Sequence, residues 1–454
     1  MRSLAVLIGI LGIGAILACS GGGEPRGNVI LITLDTTRAD RIGAYGHPGS
    51  MTPAIDRLAI EGALYTDCIA PVPTTLAAHT SILSSLAPRE HHVPRNGFLV
   101  PEDVYTFPEE LQKSGYRTGA FIGAFPLHGQ FGLGRGFGTY DDELDETPDG
   151  GEVERRADRV TDRALAWLAG GGDAPFFLWV HYFDVHWPYD PPGSWGEARR
   201  PPGSALDPTN VETLHDIRFG RVPFEADDRA YWEAQYDGEL SFVDTQIRRL
   251  LAGVREAGGD DLLVVLTSDH GESFGDHRYY FDHGDFLYDD AIRVPLILQG
   301  TRDVTPGVVN GPVELIDIAP TIHDWVGLRI PRRYRGRSLL EGGRQDDAVV
   351  ISEASKPWNV EVAAEWQNQY KAKSVRTTEW KYQLVPFMGR KELYNLTVDP
   401  AENDNVARRH PDVVARMERE LEEWTKQFDP GFQMGDLTER DEVRDNLKKH
   451  GYFK

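Results

Sequence analysis

Two stretches of the chain, residues 28–35 (Asn-Val-Ile-Leu-Ile-Thr-Leu-Asp) and 262–268 (Leu-Leu-Val-Val-Leu-Thr-Ser), are short and almost wholly apolar. The first finishes on a carboxylate, Asp35, and the second leads straight into another, Asp269. Runs of this length that do not alternate with polar positions predict strands buried on both faces of a parallel sheet. Pro175 to His181 reads the same way and is placed centrally, while Arg117 to Ile122 and Val294 to Leu298 give further strands. Between them the apolar period lengthens to that of a helix. Pro53 to Glu61 sets Ile55, Leu58 and Ala59 on one face, and Asp158 to Leu168 does so with Val160, Ala164, Leu165, Trp167 and Leu168. Thr75 to Leu86, Thr106 to Gly115 and the long stretch Tyr231 to Ala257 complete the helices. Strands alternating with helices predict an α/β fold, a sheet sandwiched by helices. Residues 190–230, rich in Pro, Gly and charge, read as a long surface excursion over the site. From about residue 345 the pattern changes to short strands near 349–352, 372–376 and 380–385, then a helix at about 411–427. The expected division is 1–26 as a leader and tether, 27–344 as the main domain and 345–454 as a small C-terminal α/β subdomain.

Composition narrows the partners. The 454 residues carry a formal net charge of −23, which repels nucleic acid. The first residues stand outside the fold. Met1-Arg2 precedes an apolar run from Leu4 to Ala18, and Ile16-Leu17-Ala18-Cys19 resembles a bacterial lipobox, with Ser20-Gly21-Gly22-Gly23 as a flexible tether. This implies export and a lipid anchor at Cys19 in the cell envelope, periplasm or outer membrane, with the membrane reached by that lipid only. An uncleaved anchor helix is the alternative. The single remaining cysteine, Cys68, has no partner for an intramolecular disulfide and reads as a small buried filler.

Chemistry concentrates at strand ends. Asp35 after the first strand, and Asp269-His270 after the strand at 262–268, suggest one shared cation site at the carboxyl edge of the sheet, where open α/β folds place their ligands. Oxygen donors with one imidazole suit a divalent ion, Mn²⁺, Zn²⁺, Mg²⁺ or Ca²⁺.

Several stretches, in order, resemble the sulfatase family of the alkaline-phosphatase superfamily. They are Asn28 to Asp40, Thr52-Pro53-Ala54-Ile55-Asp56-Arg57-Leu58-Ala59, Ser268-Asp269-His270-Gly271-Glu272, Arg293-Val294-Pro295-Leu296, Asp317-Ile318-Ala319-Pro320-Thr321 and Glu392-Leu393-Tyr394-Asn395-Leu396. The resemblance implies a large mixed, mostly parallel sheet between helices, a metal-dependent ester hydrolase, and a nucleophile at a helix start in a Cys/Ser-x-Pro-x-Arg pattern. Here Thr75 falls on the nucleophile position and His79 on the arginine. A threonine cannot become the formylglycine of sulfatases, so Thr75 would act as a plain alkoxide, activated by a cation and the helix N-terminus. Thr36 stands where the family often has a second acid.

The resemblance thus implies a metal shell of Asp35, Asp269, His270 and Thr75. In the histidine loop Trp179 to Tyr189, His186 would contact the oxyanion or protonate the leaving oxygen, with Asp184 orienting it. His283 falls near the family's substrate-binding lysine, and His79 would hydrogen-bond near Thr75. An alternative has Asp184, His186 and His283 holding a second metal. The expected activity is hydrolysis of phosphate, phosphonate or sulfate esters of a small-molecule, glycan or lipid substrate. Two rivals stand beside it: an envelope phosphotransferase of the phosphoethanolamine-transferase type, and a catalytically inactive sulfatase-like binding protein.

Overall fold

The computed structural model describes residues 27–145, 154–198, 200–259, 261–340, 348–356, 371–427 and 440–449. The leader, the lipobox and Cys19 lie outside these residues.

The main sheet takes six strands from the first half of the chain and the segment just after it: β1 (Asn28–Leu34), β2 (Ala63–Ile69), β3 (Arg117–Ile122), β4 (Thr139–Asp141), β5 (Phe176–Tyr182) and β6 (Leu262–Ser268). A short hairpin follows, β7 (Ser273–Phe274) with β8 (Tyr280–Asp282), before β9 (Arg293–Gly300) and β10 (Gly307–Glu314) return to the sheet. Its order is β10-β2-β9-β6-β1-β5-β3-β4. All pairings are parallel except those of β9, which runs antiparallel to both β2 and β6.

β1 explains why its sequence is apolar throughout. Val29 and Leu31 enter one core, while Ile30, Ile32 and Leu34 enter the other. The first core lies under helices α2 (Thr75–Ser84), α4 (Phe107–Lys113) and α9 (Ile318–Trp325); the second lies under α1 (Pro53–Glu61), α5 (Ala157–Ala169) and α7 (Ala226–Gly258). The remaining helices of the main body are short: α3 (Pro88–His91), α6 (Val211–Arg218) and α8 (Asp289–Ile292).

The stretch 190–230 is not all loop. It contains α6, whose Leu214 and Ile217 are buried, and Arg218 donates to the Phe281 carbonyl. α7 starts at Ala226, five residues ahead of the expected start at Tyr231.

The C-terminal sheet, β11 (Val350–Glu353), β12 (Lys373–Arg376), β13 (Trp380–Val385) and β14 (Arg390–Asn395), is antiparallel throughout. Its core joins Val375, Tyr382 and Leu393 to Met417 and Leu421 of α10 (Pro411–Thr425). The last described helix is α11 (Asp441–Lys449). Buried charges seal this unit to the main body. Asp289 accepts from Arg376 Nη1 at 2.6 Å and Lys381 Nζ at 2.8 Å, and Lys381 also pairs with Glu402 at 2.7 Å.

Candidate active site

β1 and β6 are adjacent and in register, Leu34 beside Ser268, so their next residues emerge together at the carboxyl edge. Ser268 Oγ ties the two ends, accepting from Thr37 N at 2.9 Å and contacting the Leu34 carbonyl at 2.7 Å. Asp35, Asp269 and His270 are fully buried there, with one ligand atom from each lying within 4.8 Å of the others.

The hydrogen bonds fix which atoms face inward. Asp269 Oδ1 accepts from His270 N at 2.8 Å and Thr36 N at 3.3 Å, which leaves Oδ2 turned to the centre. His270 Nδ1 lies 3.0 Å from the Gly271 carbonyl, which can only accept, so Nδ1 carries the proton and Nε2 a lone pair. That Nε2 sits 3.5 Å from Asp269 Oδ2 and 4.0 Å from Asp35 Oδ1. Neither Asp35 oxygen makes a hydrogen bond of good geometry. Burial, helped by the charge of Glu272, raises the Asp35 pKa well above the carboxylate range, and burial and Asp35 do the same to Asp269. Burial also pushes His270 well below its usual value.

These residues fit a divalent cation. Buried carboxylate oxygens and an imidazole lone pair converge without donors to satisfy them, an arrangement that costs several kcal/mol unless protons or a cation occupy the centre. Thr36 adds nothing to the shell. It is held at φ 45° and its hydroxyl donates to the Val185 carbonyl at 3.1 Å.

Thr75 is the first residue of α2, a helix buried along its whole length. Its side chain lies against Asp35 and lowers that carboxylate's pKa, opposing the effect of burial. The helix start is held by Asn96, whose Oδ1 accepts from Leu76 N at 2.8 Å.

His79, one turn on, points back into the site. Its Nδ1 is 2.8 Å from the Thr75 carbonyl and 3.6 Å from Asp269 Oδ2. Its Nε2 is 3.1 Å from Thr33 Oγ1, which also meets Trp179 Nε1 at 2.9 Å and His181 Nδ1 at 3.1 Å. One hydroxyl proton must serve this junction. Burial keeps His79 neutral, with its proton on Nδ1 for the carbonyl, so Thr33 donates to His79 Nε2. His181, pushed down to about 3 by burial, must then donate from Nδ1. Its Nε2 lone pair faces Asp35 Oδ2 at 3.3 Å.

On the outer side His283 packs on His270, ring centroids 4.4 Å apart, and meets His186 at 5.7 Å. Glu272 Oε1 is 3.6 Å from His283 Nδ1, and Tyr189 OH donates to Glu272. His186 Nδ1 lies 2.5 Å from the Trp187 carbonyl. Burial and the nearby Lys356 push His283 down to about 3. Lys356 arrives from the C-terminal segment and pairs with Asp282 at 2.7 Å.

Two expectations are corrected by this geometry. Asp184 does not orient His186. Its Oδ1 accepts from Ala157 N at 3.0 Å at the start of α5, and its neighbours are Glu154, Glu239 and Arg156. Among the described residues Asp184, His186 and His283 do not converge as a second metal group. The reason is a shared need: the amides that a helix start leaves without intrahelical partners draw the carboxylate away from the imidazole. Thr33, His181, Glu272 and Lys356 were not singled out from the sequence. Thr33, a polar residue inside an apolar strand, was the one local signal.

Comparison with known proteins places the chain. Residues 27–328 match the family model described as Sulfatase, and residues 275–427 match the one described as N-sulphoglucosamine sulphohydrolase, C-terminal. The chain belongs to the sulfatase family, and it is a hydrolase of the sulfatase type. It is 24% identical to an N-acetylglucosamine-6-O-sulfatase of Bacteroides thetaiotaomicron, over 92% of this chain and 89% of the relative. It is 27% identical to the multifunctional alkaline phosphatase superfamily protein PehA of Trinickia caryophylli, over 69% and 76% of the two chains. The phosphonate monoester hydrolase of Agrobacterium radiobacter shares the fold at a TM-score of 0.69 and 22% identity, covering 88% of this chain and 96% of that one. A structure solved in complex with its substrate D-glucosamine-2-N,6-O-disulfate superposes at a TM-score of 0.71 with 21% identity, covering 92% and 99%.

Proposed function

We propose that the protein is a metal-dependent hydrolase that uses Thr75 as its nucleophile on a phosphate, phosphonate or sulfate ester. The observation that carries the reading is the Thr75 side chain, at the start of a buried helix, lying against Asp35 of the Asp35–Asp269–His270 group. A divalent ion held by Asp35, Asp269, His270 and Thr75 would supply Lewis acidity to the hydroxyl and the oxyanion. The chain's own residues do the rest. Thr75 gives up its hydroxyl proton to solvent, its Oγ1 bonds to phosphorus or sulfur as the ester bond breaks, and the leaving oxygen takes a proton from solvent on the side where His186 and the neutral His283 face the oxyanion. Water then cleaves the Thr75 ester. His79 holds the helix start through the Thr75 carbonyl, with the Thr33 hydroxyl keeping its ring in place.

Relatives named for sulfated sugars and for phosphonate monoesters support a substrate in that range. Phosphorus esters are the favoured members, because a threonine cannot form an aldehyde hydrate. The test is Thr75→Ala, assayed on aryl phosphate diesters, phosphonates and sulfates, with metal analysis of the same sample. Turnover should vanish while bound metal persists. Retained turnover removes Thr75 from the reaction.

A further inference from the structure

The C-terminal unit reaches the site along one strand. β11 runs beside the loop that leads into α2. Ser352 Oγ donates to the Ala70 carbonyl at 2.7 Å, and Glu353 N to the Pro71 carbonyl at 2.9 Å. Just past the strand, Ser355 Oγ meets the hydroxyl of Thr74, the residue before Thr75. Thr74 gives its own proton to the Pro73 carbonyl at 2.6 Å, so Ser355 is the donor. The Ser355 carbonyl in turn accepts from the buried Lys371.

The next residue grips the opposite side of the site. Lys356 N donates to the Gly284 carbonyl at 2.8 Å. Lys356 Nζ lies 2.7 Å from Asp282 Oδ1, and that same oxygen accepts from His283 N at 2.9 Å. One lysine therefore brackets His283, through the carboxylate before it and the carbonyl after it. Gly284 shows how closely the two segments approach. It sits at φ 105°, and a Cβ there would stand 2.8 Å from Ser355 Oγ and 3.0 Å from Lys356 Cδ, so the crossing requires glycine. The charge of Lys356 acts on the His283 ring and on the His270 ring beside it.

Docking of the unit has other anchors. The Asp289–Arg376–Lys381 group already joins the C-terminal sheet to the main body, and Asp282 keeps Arg218 at 3.7 Å on its other oxygen. What Lys356 adds is the place of His283 relative to the start of α2. We propose that Lys356 is a positioning residue for His283, and that residues 352–356 form a clasp through which the C-terminal unit sets that imidazole against the Thr75 end of α2. The effect on turnover rests on the reading that His283 faces the oxyanion; the clasp itself does not.

Histidine-selective NMR of the full chain, in chelator, reads the imidazole directly, the His283 signal being the one missing from His283→Gln. Lys356→Met should move or broaden that signal. Gly284→Ala, which keeps the lysine but forces the segments apart, should do so too. Lys356→Arg, which still reaches Asp282, should return it towards the parent position. Lys391→Met, which removes a lysine paired with Glu418 in the same unit, should leave it in place. On the ester panel used for Thr75, kcat of Lys356→Met should fall about ten- to a hundredfold with KM within about twofold of the parent, and Lys356→Arg should recover most of the loss. Melting temperatures check folding, and should Lys356→Met fail to fold, Gly284→Ala carries the same test. A His283 signal unmoved by Lys356→Met, or moved equally by Lys391→Met, overturns the assignment. So does a moved signal with parental kcat, and so does a loss of kcat with no movement, which marks a structural role. A parent silent on the whole panel fails the Thr75 reading instead, and the signal alone then decides the clasp.

Discussion

Two clusters of largely buried charge behave in opposite ways. At the junction with the C-terminal sheet, burial alone would raise the pKa of Asp289, but Arg376 and Lys381 overcome it and hold the carboxyl far below its usual range. Every charge there has a partner: Arg376 also reaches Asp67 at 2.8 Å, and Glu402 accepts from Asp289 N at 2.6 Å. At the carboxyl edge of β1 and β6, burial wins. Asp35 and Asp269 face each other and two imidazole lone pairs, with no cationic side chain bonded to them, and their pKa values rise. The first cluster is complete as the chain folds. The second is built for something the chain does not supply.

The same substitution should therefore have opposite consequences at the two places. Asp269→Asn keeps the Oδ1 acceptor for His270 N and Thr36 N, and turns an NH₂ donor towards the His270 lone pair. Activity should fall on the order of a thousandfold as the cation that would support the oxyanion loses an anionic ligand. The metal-free protein should gain about 1 kcal/mol in denaturant unfolding, because an unsatisfied pair becomes a donor and an acceptor. Asp289→Asn should do the reverse. It leaves Arg376 and Lys381 buried without their shared carboxylate and should cost about 3–5 kcal/mol, with turnover per folded molecule little changed. Destabilisation by Asp269→Asn in chelator would erase the contrast.

Thr33→Val probes the junction beneath the site. It removes one hydroxyl that three ring nitrogens share, and each is buried. The expected cost is about 2–3 kcal/mol, read by denaturant unfolding, since leaving donors unpaired is dearer than never making the bond. Metal affinity should weaken as well, because His181 and His79 lose the tautomers that now face Asp35 and the Thr75 carbonyl. Thr33→Ser, which keeps the hydroxyl, should restore both.

How much of this was open to reading along the chain follows the range of the contacts. Asp35 and Asp269-His270 were legible because an apolar strand that stops on a carboxylate has few other purposes. β2 and β10 were not, because Thr66, Asp67, Asn310 and Pro312 break their apolar pattern; β2 lies inside the sheet and β10 at its edge. α6 hid in a Pro- and Gly-rich stretch, with only Leu214 and Ile217 buried. Asp184 looked like a partner for His186 two residues away, yet the competing amide of Ala157 lies 27 positions upstream. Lys356 reaches Asp282 across 74 positions, a contact that no local pattern announces.

The last difference between the clusters is their response to pH, and it tests what the candidate metal site holds when no ion is bound. A carboxyl whose folded pKa is raised stabilises the protein fully below the unfolded value, and that stability is lost as pH rises through the folded pKa. Asp35 and Asp269 are of this kind. An ion entering the site must displace their protons, whereas His270, already neutral by burial, has none to lose. Metal binding should thus strengthen as pH rises, and the increase in melting temperature given by Mn²⁺ over chelator should be larger at about pH 8 than at about pH 6. Other buried acids, such as Glu239, pushed up to about 9 by burial and then Asp184, also weaken the protein at high pH. They do so with or without the ion and cancel in the comparison. Calorimetry in two buffers of different ionisation heat should count the protons released on Mn²⁺ binding. An increment flat with pH and no proton release would mean that Asp35 and Asp269 are already ionised in the empty site, and the opposition between the two clusters would then lie in their partners alone.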